Sequence, residues 1–348
     1  MHQFSINTIH DWLQQYKHSS IVILTDDNTA KYCLPKIEEF LSSRYLHINI
    51  PPGENSKTLV SAQIIWNKLL ENNIDRNALM INLGGGMITD IGGFCAATYK
   101  RGISFVNIPT TLMGMVDASI GGKTGIDIGG FKNQVGLFAP PVQVFIDPVF
   151  LTSLPERELI SGFAEVIKYG LIYDLEFSRK LLIIHPLKVE DWMPIIQNCV
   201  RIKEETVGQD PKEQGLRKIL NFGHTIGHAI ESYSLEHNEK PLLHGEAVAM
   251  GLIAELYLSV KVGFEKIDLE EMSTYLINIF GYLPMDKIDS KKLYKYMLND
   301  KKNDGNSIMF VLLETIGKAE YDINCSFEEI KEAVEYLQTS KVSKTFEV

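Results

Sequence analysis

Through about residue 150, short runs rich in aliphatic and β-branched residues alternate with stretches of helical spacing; after about Leu154 only long helical periodicities remain. This alternation constrains the fold more than any other feature, because parallel strands need long crossovers and helices are the usual ones. Strands are expected at residues 20–25, 45–50, 78–83, 104–108 and 142–146, with helices over 29–42 and 56–72, the second capped by Ser56. The first domain, residues 1–154, is therefore read as a Rossmann-like, mostly parallel sheet with helices on its faces. Helical spacing at 156–173, 189–207, 220–234, 245–262, 269–280 and 327–338, with one short strand candidate at 308–313, gives an α-helical second domain, residues 155–348. The expected class is α/β plus all-α. Pro148 and Pro155 bracket the connection, which continues neither element.

A chain of 348 residues is long for a single core, and 45% hydrophobic with 22% charged residues argues against disorder. The net charge of −10 disfavours nucleic acid or an anionic membrane as a partner, so an anionic ligand would need locally clustered cations. Cys33, Cys95, Cys199 and Cys325 form no CxxC pair, which suits a reducing compartment and offers no thiolate metal site. No uncharged apolar run reaches the roughly 18 residues of a membrane span, and the start lacks a secretory pattern. A cytoplasmic location is expected.

Two segments in opposite halves carry the chemistry. In INLGGGMITDIGGF (residues 81–94), Gly84, Gly85 and Gly86 follow an apolar strand and precede a helix. Glycines there allow positive φ and close backbone approach, and the helix N-terminus would face a phosphate; the alternative is a plain tight turn. Thr89 occupies the third glycine position of GxGxxG, so this is a weak dinucleotide fingerprint. GGKTG (residues 121–125) resembles the end of a Walker A loop, but Asp117 stands where that loop needs glycine, which excludes a P-loop. Asp117 and Lys123 still mark a polar loop. In the second half, His224 and His228 stand four apart and would share a helix face, His244 opens another helix in LHGE, and Glu165 lies mid-helix in the apolar GFAEVIKYG. Two histidines and a carboxylate with an open position form a Lewis-acid or hydrolytic metal arrangement. Spacing leaves open which of His224 and His228 is the ligand, and Glu165 could equally pair with Lys168.

With these residues in place, the chain resembles the 3-dehydroquinate synthases, sugar phosphate cyclases of the shikimate pathway. The resemblance spans about residues 25–317 through TDDN, PPGENSKT, GGGMITD, KRG, PTTLMGMVDASIGGKTGID, FKN, FLTSLPERE, GFAEVIKYG, LHGE and DKKNDG. IDIGGFKN and SLP depart from the commoner family forms, although Lys132 and Asn133 are retained. The resemblance implies zinc or cobalt ligands at Glu165, His224 and His244, leaving His228 on the substrate side. It implies NAD contacts at Asp26, Asn28, Gly53, Glu54, Lys57, Gly85, Gly86, Met87, Ile88, Thr89, Asp90, Thr110, Thr111, Lys123, Lys132, Phe150, Leu151, Thr152 and Ser153. Substrate contacts are implied at Asp117, Lys123, Lys132, Asn133, Lys168, Lys203, Arg217, Asn221 and one of Lys301 and Lys302, Lys302 being the choice carried forward. Arg101 matches an arginine that reaches a neighbouring subunit's site, implying a homodimer. The implied reaction converts 3-deoxy-D-arabino-heptulosonate 7-phosphate to 3-dehydroquinate and phosphate. Rival readings are another sugar phosphate cyclase, a metal-dependent polyol dehydrogenase and a noncatalytic NAD-binding or metal-sensing protein.

Overall fold

The computed structural model describes residues 2–41, 44–129, 131–281, 289–298 and 308–339. Two compact units are present, Met1–Pro155 with Asp191–Glu204, and Glu156–Glu190 with Glu205–Val348. In the first lie the strands β1 (His2–Gln3), β2 (Ile21–Asp26), β3 (Tyr45–Ile50), β4 (Leu79–Gly84), β5 (Ser104–Pro109), β6 (Lys123–Ile128), β7 (Phe131–Phe138) and β8 (Gln143–Phe145). Six of these form one parallel sheet in the order β1-β8-β5-β4-β2-β3, and β6 and β7 pair separately as an antiparallel hairpin.

Both β2 and β4 are buried at every position, which is why they read as largely apolar runs, Asn82 in β4 being paired to Asn107: a parallel sheet covered on both faces leaves no solvent-facing side. The covering helices of this unit are α1 (Ile9–Gln15), α2 (Asp27–Tyr32), α3 (Leu34–Glu38), α4 (Leu59–Glu71) and α5 (Gly86–Thr98). Val22, Leu24 and Met80 of the sheet share a core with Ile65 and Leu69 of α4 and Ile88, Ile91 and Cys95 of α5. The expected helix over 29–42 is instead the pair α2 and α3, broken just before Pro35, whose ring has no N–H to continue α2. Ser56 is not the cap of α4: it closes a short 3-10 turn, and the Thr58 hydroxyl accepts the Ser61 N–H at 3.2 Å.

The second unit is built on α6 (Glu156–Tyr173), α7 (Leu175–Leu181) and the end of α8 (Met193–Gln209), with α9 (His224–His237), α10 (His244–Ser259), α11 (Lys266–Phe280), α12 (Ser290–Leu298) and α13 (Phe327–Thr339). The expected strand near 308–313 is β9 (Met309–Thr315), which pairs antiparallel with β10 (Lys318–Asn324). The helix expected over 220–234 starts only at His224. Leu216–Asn221 is a 3-10 stretch, and Gly223, at φ 79°, breaks the path between the two. Here α9 and α10 nearly touch, since a Cβ on Gly251 would fall 1.9 Å from the Gly223 carbonyl oxygen. Only glycine fits there.

Among the described residues no helix is long and apolar enough to cross a membrane. All four cysteines are buried and none is in a disulfide, and burial pushes the Cys33 and Cys325 thiols up to about 11.

Candidate active site

The C-terminal edge of the parallel sheet gathers the first set of residues. From β2 the chain goes to β3 on one side and then to β4 on the other, so the topological switch point lies between β2 and β4, where open parallel sheets bind their ligands. Asp26 ends β2 and Gly84 ends β4, in register with Pro109 at the end of β5. The Thr110 N–H donates to the Gly84 carbonyl at 3.0 Å, which sets Thr110 and Thr111 beside the glycine run. Gly84, Gly85 and Gly86 are not among the residues with positive φ. Of the two reasons for glycine here, close approach applies: a Cβ on Gly84 would lie 2.5 Å from Ile88 Cβ, and one on Gly85 2.9 Å from Thr111 Cγ2. Behind Gly85, α5 presents its first backbone N–H groups, the cradle an anion needs.

Around this edge the proposed nucleotide contacts divide. Met87 is half-buried, whereas Ile88 and Thr89 are buried, Thr89 donating its hydroxyl proton to the Gly86 carbonyl at 3.0 Å, so these two offer backbone rather than side chain. Asp26 caps α2, its Oδ1 accepting the Thr29 N–H at 2.9 Å, and Asn28 is exposed on that helix's first turn. In the turn Pro148–Ser153, Phe150 and Leu151 are buried, Ser153 is half-buried and Thr152 is exposed, its Oγ1 accepting from Lys36 Nζ at 3.1 Å.

Gly53, at φ 90°, leads into a crowded charge cluster. The buried Lys57 ammonium lies 2.8 Å from Glu54, 3.2 Å from Asp90 and 3.7 Å from Asp127, and Lys132 lies 3.5 Å from Glu54. Burial alone would strip the proton from Lys57, but Asp90, Glu54 and Asp127 together hold its pKa above the ordinary lysine value. Burial pushes the Asp90 carboxyl up to about 6; Lys57 opposes this, and Glu54 reinforces it.

A second polar group of the same unit centres on Asp117, carried on the π-helical turn Gly114–Ala118, a local distortion of the kind that often marks function. Lys203 Nζ, buried on α8, donates to both the Asp117 carbonyl at 2.6 Å and its Oδ1 at 2.7 Å. Lys123 is exposed at the start of β6, and Asn133 is exposed on β7. Arg101 is not brought to either group. It is exposed, at φ 68°, beyond the far end of the 13-residue α5, about 20 Å of helix from the glycine cradle.

The metal candidates meet inside the helical unit. Ligand atoms of His224, His228 and His244 lie within 4.8 Å of one another. Glu165, buried in the middle of α6, reaches the same place: its Oε1 is 3.3 Å from His224 Nε2 and 3.7 Å from His244 Nε2, and its Oε2 pairs with Lys168. The ion pair with Lys168 is therefore present, and it leaves Oε1 facing the histidines. His224 Nδ1 is 3.0 Å from the Phe222 carbonyl, which can only accept, so the proton sits on Nδ1. Burial holds the His224 pKa below its ordinary value, so the ring is neutral and Nε2 carries a lone pair. His244 Nδ1 likewise faces the Glu231 carboxylate at 3.1 Å, which turns its Nε2 lone pair inward. Oε1 is buried without a hydrogen-bond donor. Nitrogens of two imidazoles and a carboxylate oxygen thus converge, and a divalent cation fits this donor set; Phe222 and Glu231 orient the rings from behind. Burial would raise the Glu165 pKa, but the Lys168 ammonium beside it holds it well below the usual carboxylate range, so it is ionised.

Arg217 and Asn221 lie on the 3-10 stretch that leads to α9. Arg217 is buried, its guanidinium donating to the Pro211 carbonyl at 2.8 Å, and Asn221 donates to Glu213 at 2.7 Å. Lys301 and Lys302 lie outside the described residues. Sequence reasoning misses Glu231, although it stands seven positions after His224 and three after His228, a spacing that puts all three on one helix face. It also misses Asp127, which faces the sequence-distant Lys57, and Glu255, whose partners Gly223 and Ile226 are likewise distant in sequence.

Family models for the N-terminal and C-terminal parts of 3-dehydroquinate synthase match residues 47–161 and 162–303. A 3-dehydroquinate synthase of Parabacteroides distasonis is 43% identical over 336 residues, covering 95% of each chain. One from Clostridium acetobutylicum is 40% identical, covering 93% of this chain and 90% of its own. Among solved structures, a 2-epi-5-epi-valiolone synthase from Streptomyces hygroscopicus with NAD+ and Zn2+ bound aligns at TM-score 0.81 and 25% identity, covering 91% of this chain and 90% of its own. A 2-deoxy-scyllo-inosose synthase complexed with carbaglucose-6-phosphate, NAD+ and Co2+ shares the fold at TM-score 0.83 and 23% identity, covering 96% and 94%. The chain belongs to the 3-dehydroquinate synthase family.

Proposed function

We propose that the chain converts 3-deoxy-D-arabino-heptulosonate 7-phosphate to 3-dehydroquinate and inorganic phosphate, a lyase reaction without net oxidation. The convergence of Glu165 Oε1 with the Nε2 atoms of His224 and His244 carries this reading, because it supplies a Lewis-acid position in a chain of this family. When bound, NAD takes up and later returns a hydride while zinc or cobalt favours loss of an alcohol proton from the substrate.

The chain's own residues do the rest. Glu165, His224 and His244 hold the cation, and the glycine edge with Asp26, Glu54, Lys57 and Asp90 holds the dinucleotide. The substrate carries a carboxylate and a phosphate, and Lys123, Lys203 and Arg217 supply the local cations that a protein of net charge −10 otherwise lacks. Asn133, Asn221 and Lys168 orient hydroxyl groups. The departing phosphate serves as its own base, and His228 moves a proton during ring opening and the closing aldol, which needs orientation more than strong catalysis. We further propose a cytoplasmic homodimer in which Arg101 completes the neighbour's site. Leu59, Val60 and Ile64 of α4, with Val135, Leu137 and Phe138 of β7, are exposed apolar side chains that a second copy would cover.

The decisive assay follows inorganic phosphate released from the heptulosonate phosphate, with absorbance of NADH read in parallel. Phosphate appears without NADH build-up, a chelator abolishes its release, and added zinc or cobalt restores it. Steady NADH accumulation with a simple polyol and no phosphate release would make the protein a dehydrogenase.

A further inference from the structure

The hairpin of β6 and β7 is out of step. Ile126 is registered with Val135 and Ile128 with Phe131, so Asp127 alone stands opposite Lys132, Asn133 and Gln134. The longer side must buckle, and it does so at Asn133, which takes a left-handed φ of 53°. The Asn133 N–H donates to the side chain of Asp127, at Oδ1, 2.7 Å away. Asp127 is itself fixed from behind: its N–H donates to the Lys57 carbonyl at 2.8 Å, Thr58 forms a bridge to it, and its carboxylate lies 3.7 Å from Lys57 Nζ.

We infer that Asp127 is a positioning residue: its carboxylate stands in for the strand partner of Asn133, clamps the bulge in β7, and sets where Lys132 and Asn133 point. This rests on the proposed function, in which Asn133 orients the sugar phosphate, and on the family resemblance, which implies that Lys132 meets NAD. Bulges beside active sites commonly re-aim side chains in this way. The clamp also ties those two residues to the Glu54–Lys57 loop, since Lys132 Nζ lies 3.5 Å from Glu54 on the same side of the hairpin. Burial raises the Asp127 pKa against the opposing pull of Lys57, yet the acceptor for Asn133 is an oxygen in either protonation state. The function of Asp127 is therefore the place of one oxygen atom, not its charge.

Three substitutions separate these. Asp127→Asn keeps an oxygen in the same place and loses the charge; Asp127→Glu keeps the charge and moves the oxygen by one methylene; Asp127→Ala loses both. In D127A and D127E the KM for the heptulosonate phosphate rises about tenfold, the size of one lost hydrogen bond, with kcat nearly unchanged because ground and transition states lose it alike. D127N stays close to wild type. Amide exchange across residues 131–138 rises in D127A and D127E and not in D127N, and it reads the clamp whether or not the enzyme turns over. Wild-type phosphate release, measured first, tests the functional reading by itself. D127N as impaired as D127E, or D127E with unchanged KM and unchanged exchange, overturns the inference.

Discussion

Asp90 shows what happens when three carboxylates share one buried lysine. Its carboxyl is pushed up to about 6, above the roughly 3.9 of an unfolded chain. Between those values the folded protein holds a proton that the unfolded chain has released, so this group's contribution to stability is fully present below about pH 4 and lost as pH rises through about 6. Asp90→Asn removes the titration. Thermal melts from pH 4 to 6.5 should show wild type losing more stability with rising pH than D90N, and parallel curves would refute the shift. Single residues also show the limits of sequence reasoning. The i, i+3 pairing of Glu165 with Lys168 was legible because helix geometry fixes it, and the histidine pair was legible for the same reason. Spacing could not say which histidine faces Glu165, since that depends on what holds each ring from behind. The glycine run was legible as special, but its cause, Ile88 and Thr111 pressing on the backbone, is a contact that no local pattern encodes.

At the level of elements, α9 begins where a continuous periodicity hid a break. Residues 216–221 share the helical spacing of residues 224–234, so the two stretches read as one helix, yet the chain turns at Gly223 and restarts with His224 as its first residue. A carboxylate from α10 holds that restart: fully buried Glu255 accepts the Gly223 N–H at 2.6 Å and the Ile226 N–H at 3.0 Å. A negative group at a helix N-terminus is favourable, and here it fixes the turn that carries two of the clustered histidines. Glu255→Ala leaves both N–H groups buried without this acceptor and should cost about 3 kcal/mol in a urea melt. Bound zinc or cobalt per chain, measured on purified protein, should fall with it; full metal occupancy would show that the cap does not set the histidine geometry. The β6–β7 hairpin is absent from the expected strands, although the Gly129-Gly130 pair between two strand-like runs is a hairpin signal. The Walker A lookalike GGKTG overlaps the start of β6 and disguises it as a loop.

For the whole molecule, the proposed homodimer makes an exacting prediction, because Arg101 lies exposed beyond the end of α5 opposite the glycine cradle. If each site borrows Arg101 from its neighbour, an Arg101→Ala chain and a Lys203→Ala chain are both inactive alone. Mixed and allowed to exchange subunits, they should recover about a quarter of wild-type phosphate release, since half the dimers are mixed and each then has one complete site. No recovery despite proven exchange would place Arg101 in its own chain's site or outside the chemistry. The parallel sheet was legible from alternation alone, because burial on both faces writes itself into the sequence. The pairing of Lys203 with Asp117 was not, since it joins residues 86 positions apart through a π-helical turn with no periodic signature. The buried cysteines have a further consequence: with Cys33, Cys95, Cys199 and Cys325 all enclosed, and thiolate formation at Cys33 and Cys325 suppressed, the folded chain presents electrophiles and oxidants with no exposed thiol. Oxidative inactivation of such an enzyme would have to act on its metal or its methionines.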